Sequence, residues 1–439
     1  VNVNQMWTSI VDERKYIGLD GKTYDNNVHM IYDRQENFLN QGPATMKGIE
    51  AYRMMDTVVA QNLVMTTNCK YADIVLPVAS PWERYGDLSP AYRETIVWFS
   101  QVVEPLFECK SDAEIALELA DRIGVDRNVL RPVSEKQLII NMVAASQILS
   151  EDGENFENLV SITEEDLAEL GVEGQPQEGR VPILDFKRDG IFTIERSVGD
   201  GLDFIALKPF RDDPEANPRP TASGKLEIYC QYKADNVNRI GLNDEPIKPY
   251  ANYFVPRRGY QETFANWEAK EKGAYPLQAY TPHYMRRAHT CYDNMTWTQE
   301  AFRNPVFMSV EDAEARGIKA GDTVRCFNDF GSMLRIAQPM QGYMPGVVGI
   351  PHGVHSVFDE SDPENIIDRG GSEQMLSDGL QSNYFPQVDG YNSLLIEIEK
   401  YDGEPLVEDF ERGPFLAAGI DAEGTAAYVV PGADNGQEA

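Results

Sequence analysis

The chain has 439 residues, and one hydrophobic core rarely grows past roughly 250–300 residues, so two or three domains are expected. Its 42% hydrophobic and 10% aromatic content is that of a globular protein and argues against a disordered one. With 71 acidic against 39 basic residues the net charge is −32, a surface that repels nucleic acid and anionic lipid headgroups and either serves solubility or steers a cationic partner.

No run of about 18 apolar residues exists, so no segment is expected to span or insert into a membrane. The five cysteines, Cys69, Cys109, Cys230, Cys291 and Cys326, include no Cys-x-x-Cys pair. Zinc and iron–sulfur sites therefore lack their close-spaced ligands, and buried free thiols are expected. The opening Val1-Asn2-Val3-Asn4-Gln5-Met6-Trp7 has no initiator methionine and no leader-like stretch, so a piece of a longer chain is expected.

From the N-terminus, Val28 to Tyr32 reads as a strand, and Pro43 to Met54 as a helix opened by proline in its first turn. Thr57 to Met65 carries a second strand. Thr66 or Thr67 then caps a short helical turn, and Ile74-Val75-Leu76 begins a new core strand. Ser111 with Glu114 makes a capping box for a helix that stops at Gly124. Strands alternating with helices imply crossovers and a parallel sheet, whose ligands gather at the carboxyl ends of the strands. Backbone N–H groups at a strand-to-helix junction suit phosphates.

Between 126 and 274 the pattern weakens. Thr163-Glu164-Glu165-Asp166 is acidic and expected to be solvated, Phe210 to Pro220 is a proline-punctuated loop, and Thr221 to Tyr229 reads as a turn into an alternating strand. From Tyr275 to Tyr401 the chain is strand-rich. Val306 to Met308 leads to Ser309 and Asp312 at capping-box spacing, with a helix ending at Gly317. Turns at Gly321-Asp322 and Asn328 to Gly331 flank two strands, Met344 to Ile350 is a buried strand, and the whole suggests a β-barrel. The expected domains are 1–130, 131–274, 275–401 and an acidic tail, 402–439.

Two separated motifs carry a resemblance. Thr66 to Pro77 resembles the T-x-T-x-x-x-A-D-x-x-L-P signature of the molybdopterin-dinucleotide oxidoreductases of the dimethyl sulfoxide reductase family. The order Asn304-Pro305, Asp312-Ala313, Gly317-Ile318, Gly321-Asp322, Val324, Asn328-Asp329 and Gly331, continued by Pro345 to Val348 and Asn392 to Ile398, is similar to that family's C-terminal dinucleotide-binding domain. The resemblance implies a fold of α/β plus all-β class, a Rossmann-like parallel-sheet domain followed by a double-psi β-barrel. It implies a molybdenum bis(molybdopterin guanine dinucleotide) cofactor, and a terminal reductase taking oxygen from S-oxides or N-oxides in anaerobic respiration. A dehydroxylase, hydratase or formate dehydrogenase-like member, or a cofactor-binding module inactive alone, are the alternatives.

Site residues follow from the same resemblance. Asn37, Asn40 and Gln41 match the loop G-N-x-L-N-Q that holds one dinucleotide, with Glu36 standing where the family has glycine. Thr66 and Thr67 would take the nucleotide end, with Asn62 in place of an acid, and Glu83 matches an acid after the Leu-Pro pair. His283, Arg287, His289 and Asn294 resemble the H-x-x-x-R-x-H-S element that contacts pterin and phosphate; a solvated basic loop is the plainer reading. His352 approaches the second pterin or is a surface residue, and Asn328 and Asn392 bond either turns or cofactor edges. The metal's protein ligand and any iron–sulfur cluster would lie upstream of Val1, so no metal ligand is assigned. Partners implied are an iron–sulfur electron-transfer subunit, a membrane-anchor subunit and a small-molecule electron acceptor, on the outer (periplasmic) face of a bacterial cytoplasmic membrane. The α/β half and the barrel would close together around the nucleotide tails.

Overall fold

The computed structural model describes residues 5–91, 95–150, 155–195, 205–241, 245–253, 258–377 and 393–407. The chain divides into two compact units, Val1–Val75 with Glu227–Tyr428, and Leu76–Leu226 with Val429–Ala439. The first unit is thus discontinuous, whereas sequence suggested boundaries near 130 and 274.

In the first unit, β1 (Met30–Arg34), α1 (Phe38–Gln41), α2 (Thr45–Arg53), β2 (Thr57–Asn62), α3 (Thr67–Lys70) and β3 (Ile74–Pro77) follow one another. The sheet order is β1-β2-β3, with β1 and β2 parallel from Met30 opposite Thr57 to Arg34 opposite Gln61. Helix α2 starts at Thr45, not in the turn containing Pro43, because Ala44 adopts a left-handed φ of 59° that cannot continue a helix. Strand β3 forms, but Ile74 and Val75 are 49% and 37% exposed, because β3 lies at the edge of the sheet and is not a core strand.

The barrel comprises β4 (Leu277–Tyr280), β5 (Pro305–Ser309), β6 (Thr323–Asn328), β7 (Gly331–Met340), β8 (Val347–Gly349) and β9 (Leu394–Lys400). Its ring runs β5-β8-β4-β9-β6-β7, and parallel pairing of β5 with β7, from Pro305 opposite Ile336 to Ser309 opposite Met340, closes it. Strands β4 and β8 are also parallel; the remaining pairs are antiparallel. Alternate side chains turn inward, so Val306, Met308, Val324, Cys326, Met333, Ala337, Val348, Ile396 and Ile398 fill the interior. Ser309 caps the helix Val310–Ala315 as its spacing predicts, and Asn328 holds the β6–β7 turn through Phe330 N. The core of the α/β half, built on Leu39, Ile49, Tyr52 and Val58, also takes Ile366 and Met375 from the barrel side, so the two halves of this unit share a core.

The second unit pairs Gly86–Ala91 with Thr95–Ser100 and adds Ile191–Thr193. Its core gathers Trp98, Ile140, Val143, Leu159, Ile183 and Phe186. Ser111 and Glu114 form the predicted capping box for Asp112–Ile123, which ends at a left-handed Gly124. Thr163 and Asp166 form a second capping box opening the helix Glu164–Leu170, and Thr163, Glu164 and Glu165 are exposed as expected. One expectation is overturned. Thr221 to Tyr229 forms no strand: its alternating side chains find no partner strand among the described residues, and Ile228 is 86% exposed. Among the described residues no helix is long and apolar enough to cross a membrane.

Candidate cofactor-binding site

The carboxyl ends of β1 and β2 lead into two short helices preceded by the polar residues Asn37 and Thr66. Asn37 precedes α1, is 3% exposed, and among the described residues neither its Oδ1 nor its Nδ2 has a hydrogen-bond partner. Burying an amide with nothing to bond costs about 1–3 kcal/mol, so its natural complement is a ligand edge or an ordered water. Asn62 Nδ2 donates to Glu36 O at 3.3 Å, tying the end of β2 to this loop, while its Oδ1 accepts from Leu63 N. Thr66 caps α3 by accepting from Cys69 N at 3.3 Å. Asn68 takes Leu39 N on Oδ1 at 2.9 Å and donates to the Asp33 carboxylate. Burial raises the Asp33 carboxyl, against the lowering effect of that Asn68 bond.

On the barrel side the loop after β4 is anchored by buried charge. Asp293 Oδ1 lies 2.7 Å from Arg287 Nε and 2.9 Å from Arg286 Nε, and its Oδ2 accepts His355 N at 2.9 Å. Burial alone would raise the Asp293 carboxyl, but Arg287 and then Arg286 hold it below the usual carboxylate range. Arg287 Nη2 donates to Asn304 Oδ1 at 2.9 Å. Arg335, fully buried, bonds Asn304 Oδ1, Gly371 O at 2.8 Å and Pro351 O at 2.9 Å; burial pulls its guanidinium down to about 10, still protonated at neutral pH. Near this charge, Glu373 is buried, and burial raises its carboxyl; among the described residues neither its Oε2 nor Gln374 Oε1 has a hydrogen-bond partner. Three buried guanidiniums therefore lie with two buried carboxyls, Asp293 and Glu373, so positive charge is in excess, which suits anions such as phosphates.

Above this base stand three imidazoles. His352 lies 4.6 Å from His283 and 5.2 Å from His289 between ring centroids, and His352 Nε2 is 3.2 Å from His289 Nδ1. Burial, then the neighbouring His283 and His289 imidazoles, lowers the His352 pKa. His289 has a left-handed φ of 54°. Among the described residues no group of three or more His, Cys, Asp or Glu side chains is arranged to hold a metal ion.

The loops from both halves meet. Asn40 Nδ2 donates to Val354 O at 2.5 Å, and its Oδ1 accepts from Ser356 N at 2.9 Å and from Ser356 Oγ and Thr67 Oγ1, each at 3.1 Å. Gln41 Nε2 donates to Thr290 Oγ1 at 3.2 Å, and Lys70 Nζ to Ser356 O at 3.1 Å. Asn37, Asn40, Gln41, Asn62, Thr66 and Thr67 thus lie in one compact unit with His283, Arg287, His289 and His352. Within that unit Asn294 is exposed, and Asn328 Nδ2 is turned to the backbone, donating to Leu376 O and Leu395 O. Asn392 lies outside the described residues.

Glu83 belongs to the second unit, where it accepts Ser80 N at 2.7 Å and Leu106 N at 3.0 Å and so pins its own loop. Burial would raise its carboxyl, but those two N–H donors set it below the usual range. Its contribution is therefore complete above the unfolded carboxylate range and lost as pH falls through the folded pKa. Glu83→Ala is expected to destabilise this unit by about 1–3 kcal/mol, and Glu83→Gln to flatten the acid side of a melting-temperature profile against pH.

Asp293, Asn304, Arg335, Glu373 and Gln374 were not among the sequence candidates. Arg335 had a signal, a lone charge inside the apolar run Met333-Leu334-Arg335-Ile336-Ala337; Glu373 and Gln374 had none. A cavity of about 300 Å³ lined by Trp7, Ile31, Tyr32, Asp33 and Phe38 opens beside the Asn37 loop. Its wall is mainly apolar, in contrast to the guanidinium base.

Comparison with known proteins places this geometry. The family model for a molydopterin dinucleotide binding domain matches residues 277–378, and that for a molybdopterin oxidoreductase matches residues 3–122. Dimethyl sulfoxide reductase DmsA of Escherichia coli (strain K12) is 29% identical over 386 residues, 85% of this chain and 42% of that protein. The dimethyl sulfoxide/trimethylamine N-oxide reductase of Cereibacter sphaeroides is 29% identical over 82% of this chain and 39% of its own length. The chain spans about two fifths of the length of these relatives. Acetylene hydratase from Pelobacter acetylenicus shares the fold, with a TM-score of 0.57 and 18% identity over 91% of this chain and 47% of that one.

Proposed function

The chain belongs to the molybdopterin-dinucleotide oxidoreductases of the dimethyl sulfoxide reductase family, and we propose that it is the C-terminal part of a catalytic subunit that reduces S-oxides or N-oxides. The observation that carries the cofactor side is the buried, unpartnered Asn37 amide in one unit with the guanidinium base and the three imidazoles. Similarity to S-oxide and N-oxide reductases over more than four fifths of the chain supports the substrate class. We also read the six-stranded barrel, with its parallel β4–β8 and β5–β7 pairs, as double-psi.

A molybdenum bis(molybdopterin guanine dinucleotide) group supplies two-electron chemistry when bound; the residues described supply binding and orientation. Asn37 offers one donor and one acceptor to a heteroaromatic edge. Arg286, Arg287 and Arg335 make the loop base cationic toward phosphates; Asp293 fixes the first two and Asn304 holds Arg335. His352, beside His283 and His289, offers ring nitrogens as hydrogen-bond partners. Electrons would arrive through an iron–sulfur partner subunit held by a membrane anchor on the periplasmic face.

The test is molybdenum, tungsten and released-pterin analysis of the intact purified protein, followed by reduced-viologen oxidation with a panel of S-oxides, N-oxides and catechols. Stoichiometric pterin with turnover on an oxide is expected. Pterin with turnover on catechols alone would move the assignment to a dehydroxylase of the same family, and absence of pterin would sink the cofactor reading itself.

A further inference from the structure

We propose that Asn40 is a positioning residue: its amide locks the His352–Ser356 loop of the barrel side onto the strand–helix junction of the α/β half, setting His352 relative to Asn37. The proposal rests on the cofactor reading only in supposing that both residues face the same ligand.

The lock is specific in its chemistry. Asn40 is 1% exposed, and both ends of its amide are engaged. Donation to Val354 O at 2.5 Å and acceptance from Ser356 N at 2.9 Å use the carbonyl of one residue and the N–H of the second residue after it. A neighbouring β-strand would offer a parallel partner the same pair of bonds, so the side chain stands in for a strand. Ser356 Oγ and Thr67 Oγ1 complete the acceptor side, and Ser372 Oγ reaches Asn40 O at 3.4 Å. The loop is therefore held from both sides, by Asn40 and Lys70 from the α/β half and by Asp293 through His355 N from the barrel half. His352 begins this loop and touches His283 and His289, so movement of the loop is movement of His352. Thr67, whose hydroxyl ends on Asn40, is drawn into the lock as well.

A role confined to general stability makes a different prediction, and Val306→Ala in the barrel interior serves as its reference. In the holoprotein, Asn40→Ser is expected to release pterin dinucleotide roughly tenfold faster after dilution, as loss of a buried bonded pair implies. In NMR titrations its His352 midpoint should move up toward that of a free imidazole, because the loop leaves its buried, histidine-flanked seat. Ser356→Ala removes one of the acceptor-side contacts and leaves the amide in place, so it should fall between wild type and Asn40→Ser, and it serves if the serine variant fails to fold. Val306→Ala should lower the melting temperature and leave both readouts alone. The proposal is overturned if Asn40→Ser lowers the melting temperature with no change in His352, or if Val306→Ala shifts His352 as far. If the wild type holds no pterin, the functional reading fails, while the His352 titration of the protein as purified still tests the lock.

Discussion

Asp293→Ala is expected to destabilise the barrel-containing unit by about 3–5 kcal/mol, a large fraction of any domain's stability, in urea unfolding followed by near-ultraviolet circular dichroism. The reason is asymmetry. Arg286 and Arg287 are both buried, and Asp293 Oδ1 is the carboxylate oxygen between them; removal strands two guanidiniums away from water. It also strands His355 N, which Oδ2 accepts. Asp293→Asn retains the shape and one acceptor, and should lose less. The carboxyl's pKa is depressed in the folded state, so its contribution is complete above the ordinary carboxylate range of about 3.9 and vanishes as pH falls through the lower folded value. Wild-type protein should accordingly lose stability more steeply than Asp293→Asn below about pH 4. An alanine variant that melts within about 1 kcal/mol of wild type would show that the pair contributes little net energy.

Gly353→Ala is expected to abolish cofactor retention, measured as pterin and molybdenum per protein after gel filtration. Gly353 has φ +88°, and a Cβ there would sit 1.9 Å from His289 O and 2.3 Å from its carbonyl carbon. The obstacle is backbone, so one loop must yield, and both belong to the imidazole cluster. Gly346 provides the control. It too is left-handed, at φ +83°, but a Cβ there meets nothing within 4 Å. Gly346→Ala should therefore incur only the backbone strain, about 1–2 kcal/mol, and keep its pterin. Equal cofactor loss in both would mean that strain, not the collision with His289, is responsible.

What could be read from residue order alone was whatever local chemistry determines. Ser111 with Glu114, Ser309 with Asp312, Thr66 before α3 and the Asn328–Gly331 turn all carry their partners within three residues, and all were legible. Thr163 with Asp166 follows the same rule and was missed because its acidic run suggested solvent. Thr221 to Tyr229 shows the converse: alternation gives a strand only where a second strand is present to bond it. The site divides along the same line. Asn37 and His289 are recognisable from their loops, but the full protein bonding of Asn40 depends on residues more than 300 positions away. Burial of Arg335 and Glu373 is likewise a product of barrel closure, which no short window displays.

The discontinuity of the first unit has a consequence for synthesis. Asn40 and Ser356 are separated by 316 residues, and a ribosome adding about 5–20 residues per second delivers the second roughly 15–60 s after the first. During that interval the nascent α/β half lacks Ile366 and Met375 from its core and stands with apolar side chains uncovered. Residues 76–226 can collapse on their own core meanwhile. Chaperone occupancy should therefore peak on ribosome-bound chains that stop before Met375 and fall sharply once the barrel has emerged.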